Sequence, residues 1–270
     1  MAEQYKLIHP SKYYRDYLNV NIRPDGREFD KLRPNAINVG SITTADGSAI
    51  VKVGNTNVVC GIRAELAKPK ASTPDQGFLV PTIELTPLCS PKYRTGSSNE
   101  DAELYSAALN DILINADCLD LKKLCIYKEK LVWCLYCDIS CLDHDGCVID
   151  ASLIAVIAAL RNLKLPKVSY DAEIEKISVD TSIRESIEVK SSPVSTTLMV
   201  FDDNVIITDP TAEEESLSSC ILTIAVCNGE VCYILKPGGT PFNSEQMDLC
   251  IKRALAREKS VLKLLNNVLK

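Results

Sequence analysis

Twelve cysteines and two histidines are the first residues to test for chemistry. Cys134, Cys137 and Cys141 fall in the run Trp-Cys-Leu-Tyr-Cys-Asp-Ile-Ser-Cys, and Cys147 lies just beyond. Four thiolates converging from two knuckles would hold zinc, and a Cys-x-x-Cys at a helix N-terminus would make a redox pair. The segment reads instead as a strand, where residues at odd spacing point to opposite faces, so Cys134 and Cys137 diverge. The remaining cysteines stand singly among apolar residues, where Cys packs as a small hydrophobe. A zinc or thiol protein built on these four cysteines is the least favoured reading, and no metal or cofactor is expected. His9 sits in a polar N-terminal stretch and His144 beside a hairpin turn. Without Gly-x-Ser-x-Gly, a Walker loop or Gly-x-Gly-x-x-Gly, the serine-hydrolase, P-loop and dinucleotide readings lose their main support.

Asp209 and Glu215 are the acid pair best placed by position, flanking a loop that ends an expected strand. Two carboxylates near a phosphate could hold a metal or protonate a leaving oxygen. The commoner fate of a run such as Glu213 to Glu215 is a solvated acidic turn. Arg23, Arg27, Lys68, Lys70, Lys92 and Arg94 lie in expected loops, where cations can meet a polyanion passing over a rigid scaffold. Taken singly, each reads as ordinary surface.

The elements that must position these groups belong to a globular chain. It has 270 residues, 46% hydrophobic and 24% charged, which suffices for a large core without covalent staples. Thirty Lys and Arg against 36 Asp and Glu give a net charge of −6. A free-standing protein that grips nucleic acid by sheer positive charge should be basic instead. The start is polar, and the longest apolar run, 151–160, is too short to span a bilayer. The chain reads as soluble, intracellular and thiol-bearing, with no membrane partner.

A helix is expected over 11–19, then a three-stranded meander from Ile37 to Leu66 turning at Asp46-Gly47 and Gly54-Asn55. A strand over 80–85 precedes a helix over about 100–116 with Leu104, Ala108, Leu109, Ile112 and Leu113 on its apolar face. A strand over 131–142 turns at Asp145-Gly146. Asp150 is then expected to cap a helix to about Leu163 that is apolar all round and buried on both sides. Strands follow near 196–201, 205–208, 221–227 and 231–235. A terminal helix from Ser244 has Met247, Ile251, Leu255, Leu262, Leu265 and Leu269 on its apolar face. Two α+β units result, 1–190 with the N-terminal helix and 191–270 with the C-terminal one.

Four blocks carry a resemblance, in order along nearly the whole chain: RPDGRE at 23–28, NVGSITTADGSAIVKVGNTNVVCGI at 38–62, KLVWCLYCDISCLDHDGCVIDAS at 130–152 and DPTAEEE at 209–215. The first two resemble the N-terminal domain of RNase PH-type proteins. The last two are similar to the RNase PH-type ring subunits of the RNA exosome. The resemblance implies an α+β RNase PH fold, with a ribosomal-protein-S5-domain-2-like N-terminal unit and a smaller α+β C-terminal unit. It implies a six-membered ring threading single-stranded RNA, with RNase PH-like neighbours and caps bearing S1 or KH domains. Nuclear, nucleolar and cytoplasmic presence is implied in the same way.

The chemistry implied is phosphorolysis, in which phosphate attacks the 3′-terminal phosphodiester of RNA. Active members carry Asp-Gly-Gly-Thr-Arg-Thr, whose arginine grips that phosphate. The matching stretch here is Asp145-Gly146-Cys147-Val148-Ile149-Asp150, with Ile149 at the gripping position and Asp150 after it. Losing a two-pronged arginine grip costs about 3–6 kcal/mol, and a neighbouring carboxylate would add repulsion. The Ser-Arg step that holds the RNA backbone is replaced by Tyr105-Ser106. Asp209 and Glu215 stand where the family's two acids lie. The sequence therefore reads as a catalytically silent ring subunit with vestigial acids, and Lys92 and Arg94, with Lys68 and Lys70 behind them, as RNA-contact candidates. The alternative is an active phosphate-dependent 3′-exoribonuclease using Asp209 or Glu215 as acid.

Overall fold

The structure, a computed structural model, describes residues 2–94, 99–171 and 176–268. Two helices open the chain, α1 (Ala2–Ile8) and α2 (Pro10–Leu18), where one was expected. Strands β1 (Asn35–Val39), β2 (Gly47–Val53), β3 (Thr56–Ala67) and β4 (Phe78–Leu85) follow, then α3 (Glu100–Asn115), β5 (Cys125–Tyr127), β6 (Leu131–Asp143) and α4 (Val148–Arg161). The first sheet runs in the order β1-β2-β3-β6-β4, with β5 also paired to β6. All its pairings are antiparallel except β4 with β6. A ribbon of β7 (Lys164–Asp171) and β8 (Lys176–Ser186) projects from it, and every residue of β8 is exposed. The second sheet has the order β10-β9-β11-β12, from β9 (Val194–Phe201), β10 (Val205–Thr208), β11 (Cys220–Cys227) and β12 (Glu230–Leu235). The short α5 (Ala212–Ser216) lies between β10 and β11, and α6 (Ser244–Val268) closes the fold.

The expected turn at Gly54-Asn55 joins β2 to β3, pairing Val53 with Thr56. Asp46-Gly47 is not a tight turn: β1 ends at Val39 and β2 begins at Gly47, with seven residues between them. Glycine is needed at 47 for a different reason. A Cβ there would lie 2.7 Å from the Ala159 carbonyl oxygen, because α4 crosses directly over the strand. Helix α4 lies on β2 and β3 and also meets β9, so it is clad on both sides, and every residue from Val148 to Leu160 is buried. Its all-round apolarity is what such a position demands, each fully buried Leu, Ile or Val contributing about 1.5–3 kcal/mol.

Two other expectations need correction. Leu104 is 41% exposed on α3, because the buried face of that helix runs through Ala102, Ala108, Leu109, Ile112 and Leu113. Asp150 does not cap α4. Cys147 holds that position in a left-handed conformation (φ +53°), and Asp150 sits in the first turn of the helix, fully buried. Tyr14 and Leu18 of α2 pack on Met199, Phe201 and Ile207, so α2 rests on the second sheet. On α6, Cys250 and Ala254 join the core of the second sheet while Val261 and Leu265 join that of the first. Leu269 lies outside the described residues. No helix among the described residues is long and apolar enough to cross a membrane.

Candidate functional site: a cleft over the start of the central helix

The turn from β6 into α4 places Asp145, Gly146 and Cys147 against the start of α5. Gly146 adopts φ +80°, and a Cβ there would lie 2.5 Å from the Pro210 carbonyl oxygen and 2.8 Å from the Thr211 carbonyl carbon. Only glycine allows that approach. Thr211 caps α5: its hydroxyl accepts from the Glu214 N–H (3.4 Å), and the Glu214 carboxylate accepts from the Thr211 N–H (2.8 Å). The acidic run is therefore a helical turn rather than a solvated loop.

Each of its carboxylates has a separate partner. Glu213 is held by Lys6 (2.5 Å) and Tyr14 (2.7 Å). Glu214 is buried and pairs with Arg23, whose Nε donates to it at 2.9 Å and whose Nη2 donates as well. Arg23 also donates to the carbonyls of Thr208 and Asp209, both at 3.0 Å. Fully buried, Arg23 is not surface at all. Glu215 turns back to α4 and accepts the Cys147 N–H at 2.7 Å. That N–H is one of the donors a helix start leaves without an internal partner, and such donors bind anions. Here the anion is the protein's own.

Asp209 occupies a left-handed backbone position (φ +54°) and is fully buried. Its carboxylate accepts from the Arg33 backbone N–H (2.7 Å) and from Arg33 Nε (3.1 Å) and Nη2 (2.7 Å), with Arg27 Nη1 at 3.4 Å. Burial alone would raise this carboxyl. The hydrogen bonds from Arg33 and the charges of Arg257 and Arg33 overcome that and hold it well below the usual carboxylate range. Asp209 and Glu215 are thus brought to one neighbourhood but do different work. Asp209 is tied into a buried ion pair, and Glu215 is the acid that faces open space.

That space is a cleft of about 600 Å3 between α3, the β6–α4 turn, α5 and the second sheet. Leu104, Val148, Ile149, Ile221, Leu235 and Pro237 supply its apolar wall, and no arginine is among its described lining residues. Ile149 lines it. Asp150 does not: it accepts from Ser195 Oγ (2.7 Å), the Thr197 N–H (2.8 Å) and Arg257 Nη1 (2.7 Å), buried behind the cleft. The expected repulsion of phosphate by Asp150 therefore falls away, since Arg257 neutralises it. Ser106 accepts the Ile83 N–H of the edge strand β4 at 2.8 Å and donates to the Ala102 carbonyl.

Lys92 is at the cleft rim, paired with Asp101 at 2.8 Å, and Arg94 is exposed two residues on. Lys68 and Lys70 are exposed after β3, and Lys70 lines a different cleft, its ammonium 5.7 Å from the Phe78 ring centroid. The four cations therefore do not share one cleft. Cys134 and Cys137 are both buried in β6 three residues apart, and among the described residues no group of three potential ligands converges as a metal site would. The reading of the sequence missed Arg33, Glu214 and Arg257.

Burial pushes the Glu215 carboxyl up to about 7, against the pull of the Cys147 N–H and the Arg33 charge. A raised folded value means the protonated acid favours the native state, fully below the unfolded value near 4.5, and that this contribution is lost as pH rises through about 7. Glu215→Gln keeps the acceptor for Cys147 and removes the buried charge. We expect it to raise stability by on the order of 1–2 kcal/mol at pH 8, solvent reaching the half-buried group limiting the effect. Urea titrations of the two proteins should coincide near pH 4.5.

This fold and this cleft define a class. A family description, 3′ exoribonuclease family domain 1, matches residues 31–166, and its domain 2 matches residues 191–257. The chain belongs to this RNase PH-type family. Its relatives include exosome complex components: rrp43 of Schizosaccharomyces pombe is 37% identical over 94% of each chain. Rrp42 of Pyrococcus furiosus is 34% identical over 95% of this chain and 92% of its own. A chain of the Archaeoglobus fulgidus exosome, solved with RNA bound to the active site, superposes with a TM-score of 0.85 at 32% identity, covering 94% of this chain and 96% of that one.

Proposed function

We propose that this chain is a non-catalytic structural subunit of the RNA exosome ring, in the position of the eukaryotic subunit called exosome component eight. In that role it binds RNase PH-like neighbours, supports caps bearing S1 or KH domains, and helps shape the channel that leads single-stranded RNA to 3′-to-5′ processing and degradation. The division near residues 190 and 191 and a nuclear, nucleolar and cytoplasmic location belong to the same reading. One observation carries it: where the resemblance seats the phosphate-gripping arginine, Ile149 lines the cleft, and no arginine is among the cleft's described lining residues. A phosphate dianion entering there would go without an arginine grip worth about 3–6 kcal/mol.

The alternative enzyme draws on Glu215 itself, since a carboxyl near 7 is suited to donating a proton. Phosphorolysis assays of the chain, alone and in a ring with RNase PH-like partners, separate the two. We expect no nucleoside diphosphate attributable to this subunit. Release that disappears on Glu215→Gln would overturn the reading. Lys92 and Arg94, with Lys68 and Lys70 behind them, are the proposed channel contacts, and RNA crosslinking to the assembled ring should label those loops.

A further inference from the structure

The cleft is larger than one side chain and open, and its charge runs opposite to what phosphate or RNA needs. Two of its three carboxylates are already compensated, Asp101 by Lys92 at 2.8 Å and Glu213 by Lys6 at 2.5 Å. Glu215 has no ion-pair partner among the described residues. One of its oxygens accepts the Cys147 N–H and the other has no described hydrogen bond. Leu104, Tyr105, Ile149, Ile221 and Leu235 line the same cleft. Leu104 is 41% exposed there, although it is a leucine in the middle of a helix whose other face is buried. An apolar wall about a single uncompensated carboxylate fits a cation that carries its own hydrocarbon. A guanidinium is weakly hydrated, planar and able to lie on an aromatic face, whereas an ammonium is strongly hydrated and loses more on entering such a place.

We propose that this cleft is a docking site for an arginine side chain presented by an extended segment of a partner protein, with Glu215 receiving the guanidinium and Leu104, Ile149, Ile221 and Leu235 packing its shaft. The volume of about 600 Å3 leaves room for the residues flanking that arginine. The proposal rests on the reading that the cleft does not hold phosphate, and it adds what takes that place.

The test uses the full chain with labelled isoleucine and leucine methyl groups, observed by NMR. The probes are N-acetyl-arginine methylamide, its lysine and norleucine counterparts, inorganic phosphate and a short oligouridylate. Saturable shifts at Ile149, Ile221 and Leu235 are expected with the arginine probe at millimolar concentration. Binding should weaken at least about tenfold in Glu215→Gln, which keeps its fold, and by less than about twofold in Glu213→Gln; tenfold corresponds to about 1.4 kcal/mol. Norleucine or lysine binding as tightly as arginine, or indifference to Glu215→Gln, overturns the assignment. Shifts of these methyls by oligouridylate overturn it in favour of RNA. If phosphate binds there, the non-catalytic reading fails as well; if no probe binds, the docking proposal alone fails.

Discussion

Asp150→Ala should lower the free energy of unfolding by about 3–5 kcal/mol, the usual cost of leaving one member of a buried ion pair without its partner. The Arg257 side chain is 1% exposed and its Nη1 donates to Asp150 at 2.7 Å, so the substitution strands a guanidinium where water cannot reach it. It also strands the Ser195 hydroxyl and the Thr197 N–H, each an added loss. The pair joins α6 to the first turn of α4, and Ser195 and Thr197 bring in β9. Replacing both partners by apolar residues of similar size, Asp150→Leu with Arg257→Met, should recover much of the loss, because no charge is then left buried. Urea midpoints of the single and double variants check this. A single alanine variant as stable as the parent would show that the pair does not form.

Asp209→Ala is the second large effect, also about 3–5 kcal/mol, because Arg33 is 6% exposed and loses the carboxylate that both its guanidinium and its backbone N–H address. Its pH signature is opposite to that of Glu215. A carboxyl held below its ordinary value contributes stability that is complete above the unfolded value near 3.8 and is lost as pH falls through the folded value. The parent should therefore lose stability steeply below about pH 4, whereas Asp209→Asn starts lower and follows a flatter acid limb. Chemical denaturation between pH 2 and pH 6 measures both slopes, and parallel limbs would contradict the assignment.

These charges show what the sequence yields and what it withholds. The elements were legible because their patterns are local: alternation over 50–62, a wholly apolar stretch over 151–160, and helical spacing at Met247, Ile251 and Leu255. That Ile149 lies at the turn into the buried helix was legible too, since it needs only the reading of one turn. The partners of the acids were not, because Arg33 and Asp209 are 176 residues apart and Arg23 and Glu214 are 191 apart. A signal for one pair did exist. Asp150 is the lone acid at the head of an otherwise apolar helix, and Arg257 falls among Cys250, Ala254, Val261 and Leu265 at helical spacing. Two opposite charges, each out of place on an apolar face, imply one another. Glu215 and Asp209 looked equivalent in sequence, and only the left-handed turn at Cys147 decides which of them meets a helix start.

Helix α4 is gripped by one sheet below and the other above, so parting the two halves would leave neither one presentable to water. Cutting the chain after β8 would bare a rod of leucine, isoleucine and valine rather than release a self-sufficient piece. Melting should accordingly arrive as a single event, and an assembly built from such subunits would swap them whole.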